Sequence, residues 1–177
     1  MTPVDYHKRF AELGFQSLGP AAPHAESIHA LIKSMPLLEE FSMSEIARLG
    51  AYMQMFEAPA GGVIIAEGDL GDFMVVVLSG SVDVAKKDKW GKQSRIAVTQ
   101  AGAALGEMSM LDGEPRFASC IALEPTRFAV LSRTSLTEVI RDEAHLGAKI
   151  LLKLVHMLSQ RLRVTSGKLV NYLESAT

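Results

Sequence analysis

In the stretch LGEMSMLDGEPRFASC, Glu107 and Arg116 stand on either side of a short helix-prone run and a turn. An ionised carboxylate accepts hydrogen bonds only, which suits the hydroxyls of a ribose. A guanidinium offers a planar fork of donors that suits a phosphate. Residues 107–111 are all helix formers, so a single helical turn is expected. Its leading N–H groups, around Met108 and Ser109, find no acceptor inside the turn and add an anion site. Gly106 lets the backbone come close to whatever is bound. The sequence Asp112-Gly113-Glu114-Pro115 then reverses the chain and returns Arg116 to the same neighbourhood. On spacing alone the two charges could equally form a structural ion pair that closes the loop.

The surrounding elements must hold this pair in place. From residue 56 to 133 the chain reads as short apolar strands: VIIAEGD, DFMVVVLSGSVDVAKKD, SRIAVTQAG, RFASCIAL and TRFAVLS, separated by glycine turns. Val82 and Val84 alternate with polar neighbours, which predicts one buried and one wet face. The pattern predicts a mainly β fold with flanking helices, an antiparallel jelly-roll barrel. Before it, residues 4–15 carry weak helical periodicity, residues 17–25 (SLGPAAPHA) read as a linker, and helix returns over 26–34. Ser42 and Glu45 form a capping-box signature that opens a helix over about 43–55. After the strands, a short helix is expected at 134–141 and a long one over 144–172. On the latter, Leu151, Val155, Leu158, Leu162, Thr165, Leu169 and Tyr172 step alternately by four and three, a heptad seam. The first half of that helix is apolar on nearly every side, so one face is expected on the barrel and the other on a partner helix in a homodimer. The alternative is that all of it packs within one chain. The division this predicts is an N-terminal extension and linker (1–25), the barrel with its helices (26–142) and the long C-terminal helix (143–177).

The composition fits one globular unit: 177 residues, 48% hydrophobic, 21% charged, net charge −2. The balance argues against bulk nucleic-acid binding. Cys120 is the only cysteine, so no internal disulfide can form, and it reads as a small core hydrophobe. No apolar run approaches the roughly 20 residues of a membrane helix, and MTPVDYHKRF lacks a signal core, so a cytoplasmic location is expected. The five histidines all fall outside the strand region, against a metal-binding cupin, and no catalytic triad or P-loop is found. No metal or cofactor is expected, and no enzyme chemistry.

The stretch Gly106-Glu107-Met108-Ser109-Met110, followed by Pro115-Arg116-Phe117-Ala118-Ser119, resembles the phosphate-binding cassette of cyclic nucleotide-binding domains. The likeness extends upstream through PAGGVIIAEGDLGDFMVVVLSGSVDV. RLRVTSGKLVNYL, at 161–173, is similar to the central helix of the bacterial cyclic AMP receptor proteins. This resemblance implies that Arg116 and N–H groups near Ser109 and Phe117 hold a cyclic phosphate, that Glu107 takes the ribose 2′-hydroxyl, and that Val84, Ile96 and Leu105 form apolar walls. It implies that Thr165 reads the base, with Ser166 reaching across a dimer. Arg161, one turn before Thr165 on the same face, is implied to approach the nucleotide as well. Gly106, Met108 and Ala118 complete the cassette. Phe117 stands where the family has a small or hydroxylated residue. The missing hydroxyl favours cyclic AMP over cyclic GMP, and the ring could either crowd the pocket or stack on a base. Family transcription factors continue past the long helix into a DNA-reading domain. This sequence stops at Thr177, so no direct DNA binding is expected and the signal is expected to pass to another, unidentified protein. The alternative is a ligand-free interaction module whose pocket Phe117 blocks.

Overall fold

The run FMVVVL is buried on both faces because β4 (Phe73–Ser79) sits between two cores. Met74 and Val76 face a helical layer, while Phe73, Val75 and Val77 face a second sheet. The computed structural model describes residues 5–175. In chain order these form α1 (Tyr6–Glu12), β1 (Gln16–Pro20), α2 (Ala25–Ala30), α3 (Met43–Gly50), β2 (Gln54–Ala58), β3 (Val63–Ile65) and β4. There follow β5 (Ser81–Lys87), β6 (Gln93–Gln100), β7 (Ala104–Leu105), α4 (Glu107–Asp112), β8 (Ser119–Ala122), β9 (Thr126–Ser132), α5 (Arg133–Asp142) and α6 (Ala144–Ser175).

The strands make two sheets, β1-β2-β9-β4-β7 and β3-β8-β5-β6, antiparallel throughout. The expected jelly roll is therefore present, but as two facing sheets and not as a closed barrel. The expected alternation on β5 holds only in part: Val82 is buried, Val84 is half-exposed and Ala85 is buried again. The register against β6 shifts between Val84 and Ala85, with Ile96 as the extra residue on β6. Val84 borders a cavity.

The segment read as a linker is not one. Gln16–Pro20 pairs with β2, with a register shift between Ser17 and Gly19. Phe10 and Phe15, in the supposed extension, belong to the core between the sheets. The helix expected over 4–15 begins at a residue outside the described range, and Asp5 caps the part that is described, accepting from His7 and Lys8 N–H. The helix expected to reach residue 55 stops at Gly50, because Gln54 already pairs with Val130.

Ser42 and Glu45 do form the capping box. Glu45 also receives Lys149 Nζ from α6 at 2.8 Å. Nearby, Lys153 pairs with Glu40 at 2.7 Å and Arg48 with Glu143 at 2.9 Å, so a set of ion pairs ties α6 to the helical layer. The Lys149 hydrogen bond, helped by the Ser42 N–H, pulls the Glu45 carboxyl down to about 2. A folded-state value below the ordinary 4.5 stabilises the fold above that value and is lost as pH falls toward about 2. Glu45→Gln is therefore expected to flatten the fall in melting temperature that the wild type shows between about pH 5 and pH 2.

On α6, Leu146, Ile150, Leu154 and Met157 are buried against the domain. Beyond Met157 no described residue of α6 is buried, and Leu162, Val164, Leu169 and Tyr172 are 57–70% exposed. The helix does not pack wholly within its own chain. No helix among the described residues is long and apolar enough to cross a membrane.

Candidate functional site

The cassette lies between β7 and β8, with α4 in its middle. Gly106 precedes α4 at φ +80°, and a Cβ there would stand 2.7 Å from both Ile65 Cδ1 and Arg116 Nη1. Only glycine gives both the left-handed backbone and the close approach. Gly71 has the same task on the other side: a Cβ on it would overlap the Arg116 guanidinium.

Glu107 and Arg116 do not grip each other. Arg116 is 4% exposed and donates through Nη1 to Gly106 O and through Nη2 to Phe73 O, both at 2.7 Å. It forms no ion pair among the described residues, and its guanidinium carbon stands 4.5 Å over the Phe73 ring. Burial pushes the guanidinium down to about 10, so it stays charged at neutral pH. Glu107, 2% exposed, is paired instead with Arg161 from α6, whose Nη2 also donates to Ala104 O at 2.7 Å. The structural ion pair considered for the loop is thus replaced by a link between the cassette and the long helix.

Both charges border one cavity of about 130 Å³. Gly106, Glu107, Met108 and Ser109 form one side, Arg116, Phe117 and Ala118 another, and Val84, Leu105 and Arg161 the rest. Val84, Leu105 and Arg161 also line a larger groove of about 520 Å³ between β6 and α6, which Ile96 and Thr165 border. Ser166 borders neither space. Phe117 lines the cavity and is 57% exposed, its ring under Lys86 Nζ at 4.0 Å from the centroid. The same ammonium donates to Phe117 O at 2.7 Å.

The cyclic nucleotide-binding domain family matches residues 55–143, half of the chain. The chain belongs to the cyclic nucleotide-binding domain family. It is 33% identical over 110 residues to the cyclic AMP receptor protein of Thermus thermophilus, covering 62% of this chain and 51% of that protein. It is 27% identical over 130 residues to the CRP-like cAMP-activated global transcriptional regulator of Mycobacterium tuberculosis, covering 73% of this chain and 56% of that one. The chain thus spans about half the length of these two relatives. The crystal structure of a cyclic nucleotide-binding domain from Methylobacillus flagellatus matches with a TM-score of 0.80 and 38% identity, covering 89% of each chain.

The sequence did not place Ile65 or Cys120 at this cyclic nucleotide-binding domain's cavity, nor Arg133 against α4. Ile65 and Cys120 complete its wall. Burial pushes the Cys120 thiol up to about 12, so it stays protonated. Arg133, at the start of α5, donates through Nε to Met110 O at 2.6 Å and through Nη2 to Ser109 O at 2.9 Å. It thereby adds a donor to the Ser109 carbonyl, which already accepts the Gly113 N–H at 3.0 Å, and supplies one to the Met110 carbonyl. No basic residue in the last turn of α4 supplies such a donor locally.

Proposed function

We propose that this domain is a sensor that binds cyclic AMP in the cassette cavity and signals through α6 to another protein. The observation that carries the reading is the shared cavity: an acceptor-only carboxylate and a buried, unpaired guanidinium border one small space that opens on an apolar groove. Arg116, with the leading N–H groups of α4, takes the cyclic phosphate. Glu107 takes the ribose 2′-hydroxyl. Val84, Ile96 and Leu105 enclose the sugar and base, and Thr165 meets the base edge. Ser166, which faces away from both spaces of its own chain, serves the site of a second copy. Phe117 offers no hydroxyl to a guanine amino group and leaves an aromatic face at the cavity mouth.

The ligand competes with Arg161 for Glu107. A nucleotide that engages the carboxylate shifts the balance of the Arg161–Glu107 contact, which ties the distal half of α6 to the cassette, and so biases α6 between two arrangements. The exposed apolar residues of α6 fit a parallel partner helix in a homodimer. The role is binding and regulation, not catalysis.

Calorimetric titration with cyclic AMP, cyclic GMP and a cyclic dinucleotide tests this reading. Heat with cyclic AMP, weaker heat with cyclic GMP and none with the dinucleotide is expected. No heat with any of the three at micromolar protein rejects it in favour of a ligand-free module. Sedimentation is expected to show a dimer for the wild type and a monomer for Leu162→Asp.

A further inference from the structure

The groups that seat Arg116 are themselves held from outside by α1. Arg116 lies against the loop between β3 and β4, which has no strand ladder of its own. Its N–H donates to Asp69 O, and Gly68 N–H donates to Arg116 O, each at 2.8 Å. Its Nη2 donates to the Phe73 carbonyl at the loop's end. Helix α1 reaches both of these residues by side chain. Arg9, 19% exposed, pairs through Nη1 with the Asp69 carboxylate. The Tyr6 ring lies 5.3 Å from the Phe73 ring. Phe10, fully buried between them, anchors α1 against Phe56, Phe73 and Phe128 at 5.0–5.8 Å between centroids. Phe10 is the buried residue of α1, and Tyr6 packs beside it against Phe56 at 6.1 Å between centroids. Arg9 and Tyr6 add contacts to the two residues whose backbones hold Arg116.

Resting on the phosphate-binding role of Arg116 given above, we propose that α1 is a strap that positions Arg116, with Arg9 and Tyr6 as positioning residues. A loop without strand pairing samples more backbone states, and each tether removed lowers the fraction with Arg116 in place. By linkage, a bound cyclic phosphate tightens the docking of α1 by the same factor that α1 tightens the phosphate. The N-terminal segment, outside the matched family range, becomes a second route by which occupancy of the cavity is read.

The test is calorimetry of the full chain with cyclic AMP. Arg9→Gln and Tyr6→Ala are each expected to weaken binding by about fivefold, and Arg9→Lys, which keeps the ion pair, by less than about twofold. In an Arg116→Lys background the effect of Arg9→Gln is expected to vanish, because the group it positions has gone; a generally loosened fold would lose the same factor again. Amide exchange over residues 6–12 is expected to slow by about fivefold when cyclic AMP is added. Wild-type binding left unchanged by Arg9→Gln and Tyr6→Ala, full additivity with Arg116→Lys, or unchanged exchange in α1 overturns the strap while leaving the phosphate reading intact. A wild-type chain that binds no cyclic AMP overturns both.

Discussion

Arg116→Met is expected to melt within a few degrees of the wild type but to bind cyclic AMP at least about a hundredfold more weakly. The two halves of this result come from one feature, a buried cation without a counter-ion. Its guanidinium is shielded from water, and among the described residues its hydrogen-bond acceptors are the carbonyls of Gly106 and Phe73. Removing it takes a donor from each carbonyl; Gly106 O keeps the Met110 N–H at 3.2 Å, so the loss falls mainly on Phe73 O, at about 1–3 kcal/mol. It also removes a desolvation penalty of several kcal/mol. The two terms are of similar size and opposite sign, so the unliganded fold changes little. The liganded state has no such compensation. Two charge-assisted hydrogen bonds to a phosphate, at about 1.5–3 kcal/mol each, correspond to a hundredfold or more in affinity. A thermal scan without ligand and a titration with it check the two halves separately.

Arg161→Ala is expected to show the opposite pattern and to destabilise the unliganded protein. Glu107 has 3% of its side chain exposed, and Arg161 supplies its cationic partner. Breaking a fully buried pair from one side costs about 3–5 kcal/mol. Here Arg161 is itself 45% exposed, so part of that is already screened by water. A loss of about 2 kcal/mol, or about 4–8 °C in melting temperature, is expected for a chain of this length. Arg161→Lys, which keeps a cation but not the second donor to Ala104 O, is expected to recover part of it. The contrast between the two arginines would separate a residue proposed to wait for a ligand from one proposed to hold the resting state.

What could be read from the sequence follows physical lines. The cassette was legible because its residue types are demanded locally: Gly106 for its backbone, Glu107 and Arg116 for their charges, the Asp112–Pro115 stretch for its turn. The long helix was legible from its period. The partners of the two charges were not. Arg116 bonds to carbonyls, which every residue carries and no sequence marks. Glu107 bonds to Arg161, whose place four positions before Thr165 indicated a face of α6 but not which cassette group that face meets. Strand β1 was missed because Gly19 and Pro20 carry turn chemistry, and its pairing with β2 is paid for elsewhere, by Phe10 and Phe15 in the core. The closed barrel was an overreach of the same kind: strand number and turn spacing indicate antiparallel sheets, but whether the edges meet depends on registers that only the folded chain reveals.

The account turns on where the Arg116 guanidinium goes when a nucleotide arrives. A crystal of the full chain grown with cyclic AMP measures this directly. The predicted result is density for the cyclic phosphate within hydrogen-bond distance of Arg116, the ribose 2′-hydroxyl on Glu107 and the base toward Thr165. Arg116 still bound only to the Gly106 and Phe73 carbonyls, with the cavity free of nucleotide at saturating cyclic AMP, contradicts it.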